Sequence, residues 1–144
     1  MSLQSSESES VRPLERQADS LCFGCGPDKR RGLRLNFAMD NSSAMAAEWI
    51  PDSDLEGFRG VTHGGLVSTA LDESMAKVVA ATGIQALTAE LKVRFRQQVS
   101  TGVRVCVRGW IESRDRRVFL TEAALTAPDG AELAHAWAKF LVVR

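Results

Sequence analysis

The sequence lacks most of the features that announce a specialised class of protein. It carries no excess charge, since 18 lysines and arginines stand against 18 aspartates and glutamates. A chain so balanced has no overall attraction to nucleic acid or to an anionic membrane, although local basic patches stay open. No apolar run approaches the roughly 20 residues needed to span a bilayer. The opening Met1-Ser2-Leu3-Gln4-Ser5-Ser6-Glu7 has no basic cluster and no apolar stretch, so a secretory signal is not expected. Cysteine is scarce, three in all. Three cannot all pair within one chain, which excludes a disulfide scaffold and points to a reducing, cytoplasmic setting. No internal repeat is present, which sets aside solenoids and propellers.

What is present fits an ordinary globular domain: 144 residues, 44% hydrophobic and 25% charged, long enough for one real core. Residues 1–17 are rich in serine and glutamate and nearly free of large apolar groups, so they are expected to form a disordered or loosely docked tail, with 18–144 as a single domain. Leu21-Cys22-Phe23-Gly24-Cys25-Gly26-Pro27 is dense in glycine and is expected to be a loop. Alternation of Leu33, Leu35 and Phe37 with Arg34, Asn36 and Ala38 predicts a strand, and a second runs from about Ser43 to Ile50 until Pro51 stops it. From Gly64 to about Thr82 the period changes to that of a helix, with Val67, Leu71, Met75 and Val78 on one face and Gly83 at its end. Strands follow. Ala89, Leu91, Val93 and Phe95 alternate with Glu90, Lys92, Arg94 and Arg96, which predicts one apolar and one wet face. Thr101-Gly102, Arg114-Asp115-Arg116 and Pro128-Asp129-Gly130 are turns between the strands that end at Val143. Two strands, one long helix and then three or more strands make an α+β fold, in which the helix is the only available cover for the sheet.

The chemistry gathers around the start of that helix. Two glycines, Gly64 and Gly65, are poor helix formers, but they let a ligand approach backbone amides that have no internal partner and sit at the positive end of the helix dipole. Such amides can hold a carbonyl oxygen as it gains negative charge, and the same pattern also serves a plain tight turn. Further on, Glu73 has an i,i+4 partner in Lys77 on what reads as a solvated face. Asp72 has no such partner: its neighbours at helical spacing are the small residues Ser68 and Ala76. It is equally an exposed edge carboxylate and a carboxylate in a niche for ligand or water. Eight residues separate Gly64 from Asp72, about 12 Å along a helix axis. A carbonyl held at one and a water held at the other must meet at about 3 Å. If both act on one substrate, they come from two helices across a two-fold axis, and the protein is at least a dimer.

Val61-Thr62-His63-Gly64-Gly65, then Leu71-Asp72-Glu73, Leu87-Thr88-Ala89-Glu90-Leu91 and Val93-Arg94-Phe95, resemble the PaaI-like hotdog-fold acyl-CoA thioesterases. Cys22-Phe23-Gly24-Cys25-Gly26 with Gly32-Leu33 resembles the branch of that family that begins with a CFGCG loop. The resemblance implies one long central helix wrapped by an antiparallel sheet of five to six strands, paired into a homodimer with a continuous sheet and often into a homotetramer. It implies hydrolysis of acyl-CoA, with Asp72 activating water or attacking directly, the Gly64 amide binding the thioester oxygen, Thr88 placing the water, and His63 supporting the loop near the thioester. Gly65 and Glu73 stand beside these as substrate contacts, and no cofactor or metal is expected. Two departures stand out: Gly57 replaces a polar residue, often asparagine, six positions before His63, and Lys29-Arg30 replaces an Asn-Pro pair after the CFGCG loop.

The row Lys92, Arg94, Arg96 is either a solvated strand face or a contact for the phosphates of coenzyme A, which arginine recognises well. Cys22-x-x-Cys25 has half a zinc spacing, but a structural site takes four ligands, and only Cys106, His63 and His135 are left to supply them. A packed loop is the simpler reading of the two cysteines, as packing is of His135. The competing functions are an acyl-CoA binding protein without turnover and an enoyl-thioester dehydratase of the same fold.

Overall fold

The computed structural model describes residues 20–143, so the expected tail at 1–17 lies outside the described residues. The elements run in the order β1 (Ala38–Met39), β2 (Met45–Trp49), a 3-10 turn (Ser53–Leu55), α1 (Gly64–Ala80), β3 (Ala86–Phe95), β4 (Val105–Arg114), β5 (Val118–Thr126) and β6 (Glu132–Val142). The six strands form one sheet in the order β1-β2-β4-β5-β6-β3, antiparallel throughout. Helix α1 lies across it, and the architecture is the hotdog fold. Among the described residues no helix is long and apolar enough to cross a membrane.

The helix follows its apolar period. Val67, Ala70, Leu71, Ser74, Met75, Val78 and Val79 are buried, a stripe at three- and four-residue spacing that faces the sheet. The chain leaves it through Gly83 at φ 85°, where a residue without Cβ avoids the left-handed penalty. Small residues let helix and sheet close: Ala123, Ala134 and Ala136 are fully buried in the same core as Leu71, Met75, Phe119 and Phe140. Closest of all is Gly109 in the middle of β4. A Cβ built there falls 2.7 Å from the Ser74 carbonyl carbon and 2.8 Å from its oxygen. Helix backbone cannot yield as a side-chain tip can, so Gly109→Ala is expected to cost about 1–3 kcal/mol by overpacking, read as a lower urea midpoint with an unchanged slope.

Two expected elements differ. The alternation at Leu33 and Leu35 is a true burial pattern, since both side chains are buried. However, the backbone there is not a strand. Leu33 N–H donates to the Phe23 carbonyl at 2.7 Å and Leu35 N–H to that of Gly24 at 2.9 Å, and Arg34 between them has φ 51°. The segment pairs with the CFGCG loop, and β1 shrinks to two residues. The second correction concerns β3. From Glu90 to Phe95 its sides alternate as expected, with Leu91, Val93 and Phe95 opposite the core alanines Ala138, Ala136 and Ala134. A bulge between Thr88 and Glu90 breaks the alternation at Ala89 and sets Thr88 opposite buried Phe140. Yet β3 is the sheet edge, and α1 covers its inner face only in part: Val93 packs on the core, while Leu91 is 39% and Phe95 54% exposed. Alternation reveals which residues share a face but not whether anything lies over it.

Candidate active site

His63 caps α1. Its Nδ1 accepts the Gly65 N–H at 2.9 Å, and its carbonyl takes the Leu66 and Val67 amides at 3.0 and 3.1 Å. Of the glycine pair, the Gly64 N–H is thus left without an acceptor among the described residues. It is exposed, at the positive end of the helix dipole. A Cβ built on Gly64 would meet only the Phe95 ring, at 3.6 Å, so the edge strand forms one wall beside this amide. Gly57, the departure noted above, faces the same corner: its built Cβ lies 3.4 Å from His63 Cα.

Two turns on, Asp72 is half-buried on the side of α1 that meets β3. Thr88 donates its hydroxyl to Asp72 Oδ1 at 2.8 Å, while Oδ2 has no hydrogen-bond partner among the described residues. Burial pushes the Asp72 pKa above the usual carboxylate range, and the Thr88 hydrogen bond holds it back in part. Asp72 is thus neither a freely exposed edge carboxylate nor without a partner: it is half-buried and Thr88 holds one of its oxygens. One edge strand thus touches both ends of the stretch, with Phe95 at Gly64 and Thr88 at Asp72. Because α1 is unbroken from Gly64 to Ala80, about 12 Å of helix rise still separates the two.

The other expected contacts lie elsewhere. Arg94 stands opposite His135 on the outer face of the sheet. Arg96 is bound to Glu132 at 3.0 Å. Neither shares the helix side of β3 with Asp72 and Gly64. His135 is packed, as expected, between Trp110 and Trp137, with Glu122 and Glu132 on its two nitrogens. Glu73 is not on a solvated face. The CFGCG loop lies over it, Cys22 Sγ donates to its Oε2 at 3.6 Å, and a Cβ on Gly24 would fall 2.7 Å from its Oε1. Cys25 sits in the same cluster, and burial first, then Glu73, pushes its thiol pKa well above the ordinary value. The loop docks on Glu73 from 51 residues away, so local spacing carries no signal of the contact.

Among solved structures, a thioesterase superfamily protein matches with TM-score 0.81 and 19% identity over 85% of this chain, which spans 60% of that protein's length. A phenylacetic acid degradation-related protein from Ralstonia eutropha matches with TM-score 0.69 and 25% identity over 76% of this chain and 86% of its own. A hypothetical thioesterase from Streptococcus pneumoniae, solved with coenzyme A, matches with TM-score 0.71 and 15% identity over 76% of this chain and 85% of its own. Structures under that same name include an aspartate-to-alanine and a threonine-to-alanine variant at positions 16 apart. No curated protein matches. Residues 59–134, which hold the helix start, Asp72, Thr88 and most of the sheet, match the thioesterase superfamily, and the chain belongs to it.

Proposed function

We propose that the protein hydrolyses acyl-CoA thioesters to a carboxylic acid and CoA in a homodimer, with Asp72 of one subunit and the Gly64 amide of the other completing each site. The observation that carries this reading is the Asp72–Thr88 pair, a half-buried carboxylate of raised pKa with one oxygen fixed and the other open. Water on Oδ2 loses its proton to Asp72 and attacks the thioester carbon, or the carboxylate attacks first and water resolves the resulting anhydride. In either route the carbonyl oxygen gains charge beside the Gly64 N–H, the C–S bond breaks, and the thiolate of CoA leaves and takes up a proton. Aspartate and threonine 16 positions apart, the separation of Asp72 and Thr88, are also the pair altered in the Streptococcus pneumoniae structures.

The edge strand supports the dimer. β3 offers ten residues of open backbone edge, a template for pairing with another chain, and carries the partly exposed Leu91 and Phe95. Two β3 strands paired antiparallel about a two-fold axis bring the Phe95 end of one beside the Thr88 end of the other. That carries Gly64 of one subunit towards Asp72 of its partner. Higher assembly to a homotetramer, a cytoplasmic location, and a reach of the CoA phosphates over the edge to Arg94 and Arg96 complete the reading. Gly57 favours one alternative, an acyl-CoA binder without turnover, because it puts no polar group against His63.

Release of free CoA thiol across acetyl, hexanoyl, palmitoyl and phenylacetyl thioesters tests the proposal and separates it from the alternative. Turnover confined to a monomeric fraction in sedimentation would sink the shared site. A pH profile adds a sharper result. The Thr88 hydroxyl stabilises the ionised form of Asp72, so Thr88→Val should raise the Asp72 pKa further. The acid limb of kcat/KM is expected to move to higher pH while the plateau changes less. A limb that stays in place would remove Asp72 from the role of titrating base.

A further inference from the structure

The CFGCG loop poses a packing problem that the thioester chemistry does not answer. The loop is tied down firmly: Gly26 N–H donates to the Cys22 carbonyl at 2.8 Å, and Leu33 and Leu35 bind the Phe23 and Gly24 carbonyls. Yet its large apolar side chains are not what anchors it, because Leu21 is 63% and Phe23 41% exposed. The groups it turns inward are two thiols. Cys22, Cys25 and Glu73 place one sulfur, one sulfur and one carboxylate oxygen all within 4.8 Å of one another. Gly24 lies at the centre, where a Cβ would fall 2.7 Å from Glu73 Oε1 and press that side chain aside.

We propose that Cys22, Cys25 and Glu73 bind a soft divalent cation, with zinc as the best match, and that the cation fastens the loop to helix α1. Two sulfurs and one oxygen suit zinc, which accepts cysteine and carboxylate together in tetrahedral sites. The spacing suits it as well. Tetrahedral legs of about 2.3 Å to sulfur and about 2.1 Å to oxygen set those two atoms about 3.6 Å apart. Cys22 Sγ and Glu73 Oε2 are 3.6 Å apart. Binding releases two thiol protons to solvent. Two thiolates, one carboxylate and Zn²⁺ sum to one negative charge, and Lys77 follows Glu73 by one turn of α1. Three protein ligands leave the fourth position to a water, so the site would be an open one and not the four-ligand site weighed from the sequence. The site holds the turn that carries Asp72, one residue before Glu73, but it stands on its own geometry and not on the thioester reading.

The full chain, kept reduced, stripped with a chelator and titrated with cobalt(II), should develop thiolate-to-cobalt absorption in the near ultraviolet. Saturation should come at equimolar metal, with zinc displacing the cobalt. Cys22→Ser and Cys25→Ser should weaken binding by about tenfold or more and lower the absorption. Glu73→Gln should keep the sulfur absorption and weaken binding by about tenfold. Chelation should lower the thermal midpoint of the parent chain and leave that of Cys22→Ser unchanged. If Cys25→Ser does not fold by circular dichroism, Cys22→Ser and Glu73→Gln decide. No thiolate absorption at micromolar cobalt in the folded, reduced chain overturns the proposal. Parent-like affinity in both deciding variants overturns it equally.

Discussion

Asp72→Asn is expected to lower kcat/KM for acyl-CoA by about a thousandfold, the range for removing a positioned base, while leaving the fold at least as stable as the parent. Activity and stability move apart here because the carboxylate is held against its solvation preference. Asp72 is half-buried, and burial is the main reason its pKa lies above the ordinary value. A folded pKa above the unfolded one means that the folded state binds the proton more tightly. The stability this contributes is full below the unfolded carboxylate range and is lost as pH rises through the folded value. Wherever the parent carries the ionised, partly desolvated carboxylate, asparagine removes that cost while still accepting from Thr88. Urea unfolding of parent and variant at neutral and acidic pH checks the sign, with the advantage of the variant shrinking as pH falls. Steady-state thiol release checks the activity. Hydrolysis within tenfold of the parent, in a folded variant, would take Asp72 out of the mechanism.

How far these conclusions could be read from the chain depends on whether the physics is local. The helix was legible because Val67, Leu71, Met75 and Val78 write its period directly, and Gly83 stops it through its own φ. Turns such as Pro128-Asp129-Gly130 were legible for the same reason: Asp129 accepts the Ala131 N–H two residues on, and Gly130 takes φ 90°. Asp72 stood out by what its neighbours failed to supply, though its partner Thr88 comes from another element 16 residues away. What escaped is non-local. Leu33 and Leu35 alternate as a strand would, but a loop ten residues earlier takes their hydrogen bonds. The period of β3 gives its two faces and cannot say that it ends the sheet. Glu73 was placed on a solvated face by its spacing to Lys77, whereas the CFGCG loop covers it. The two cysteines read as a packed loop, and their closeness to Glu73 is invisible until the loop closes on the helix.

The Gly64 amide can be tested without disturbing the fold around it. Proline at that position deletes one N–H and almost nothing else. It is the first helical residue, where proline is well tolerated because the amide has no helical partner. His63 before it has φ −58° and ψ 131°, the extended backbone that a following proline demands. A Cβ finds only ordinary contact with Phe95 at 3.6 Å. Gly64→Pro is therefore expected to unfold like the parent and to lose about 100- to 1,000-fold in kcat, the value of one oxyanion donor. Combined with Asp72→Asn it settles where each site is built. When the two inactive chains are co-expressed under different affinity tags and the mixed dimers isolated, a site shared between subunits gathers both lesions on one side and leaves the other intact. The mixed dimer should then recover about half the parent activity, as two-fold symmetry requires. A site made within one chain predicts the opposite: each site of the mixed dimer keeps one lesion, and activity stays at the level of the single variants. The 12 Å of helix between Gly64 and Asp72 favours recovery, because a rigid helix cannot bring its own two ends to one carbonyl.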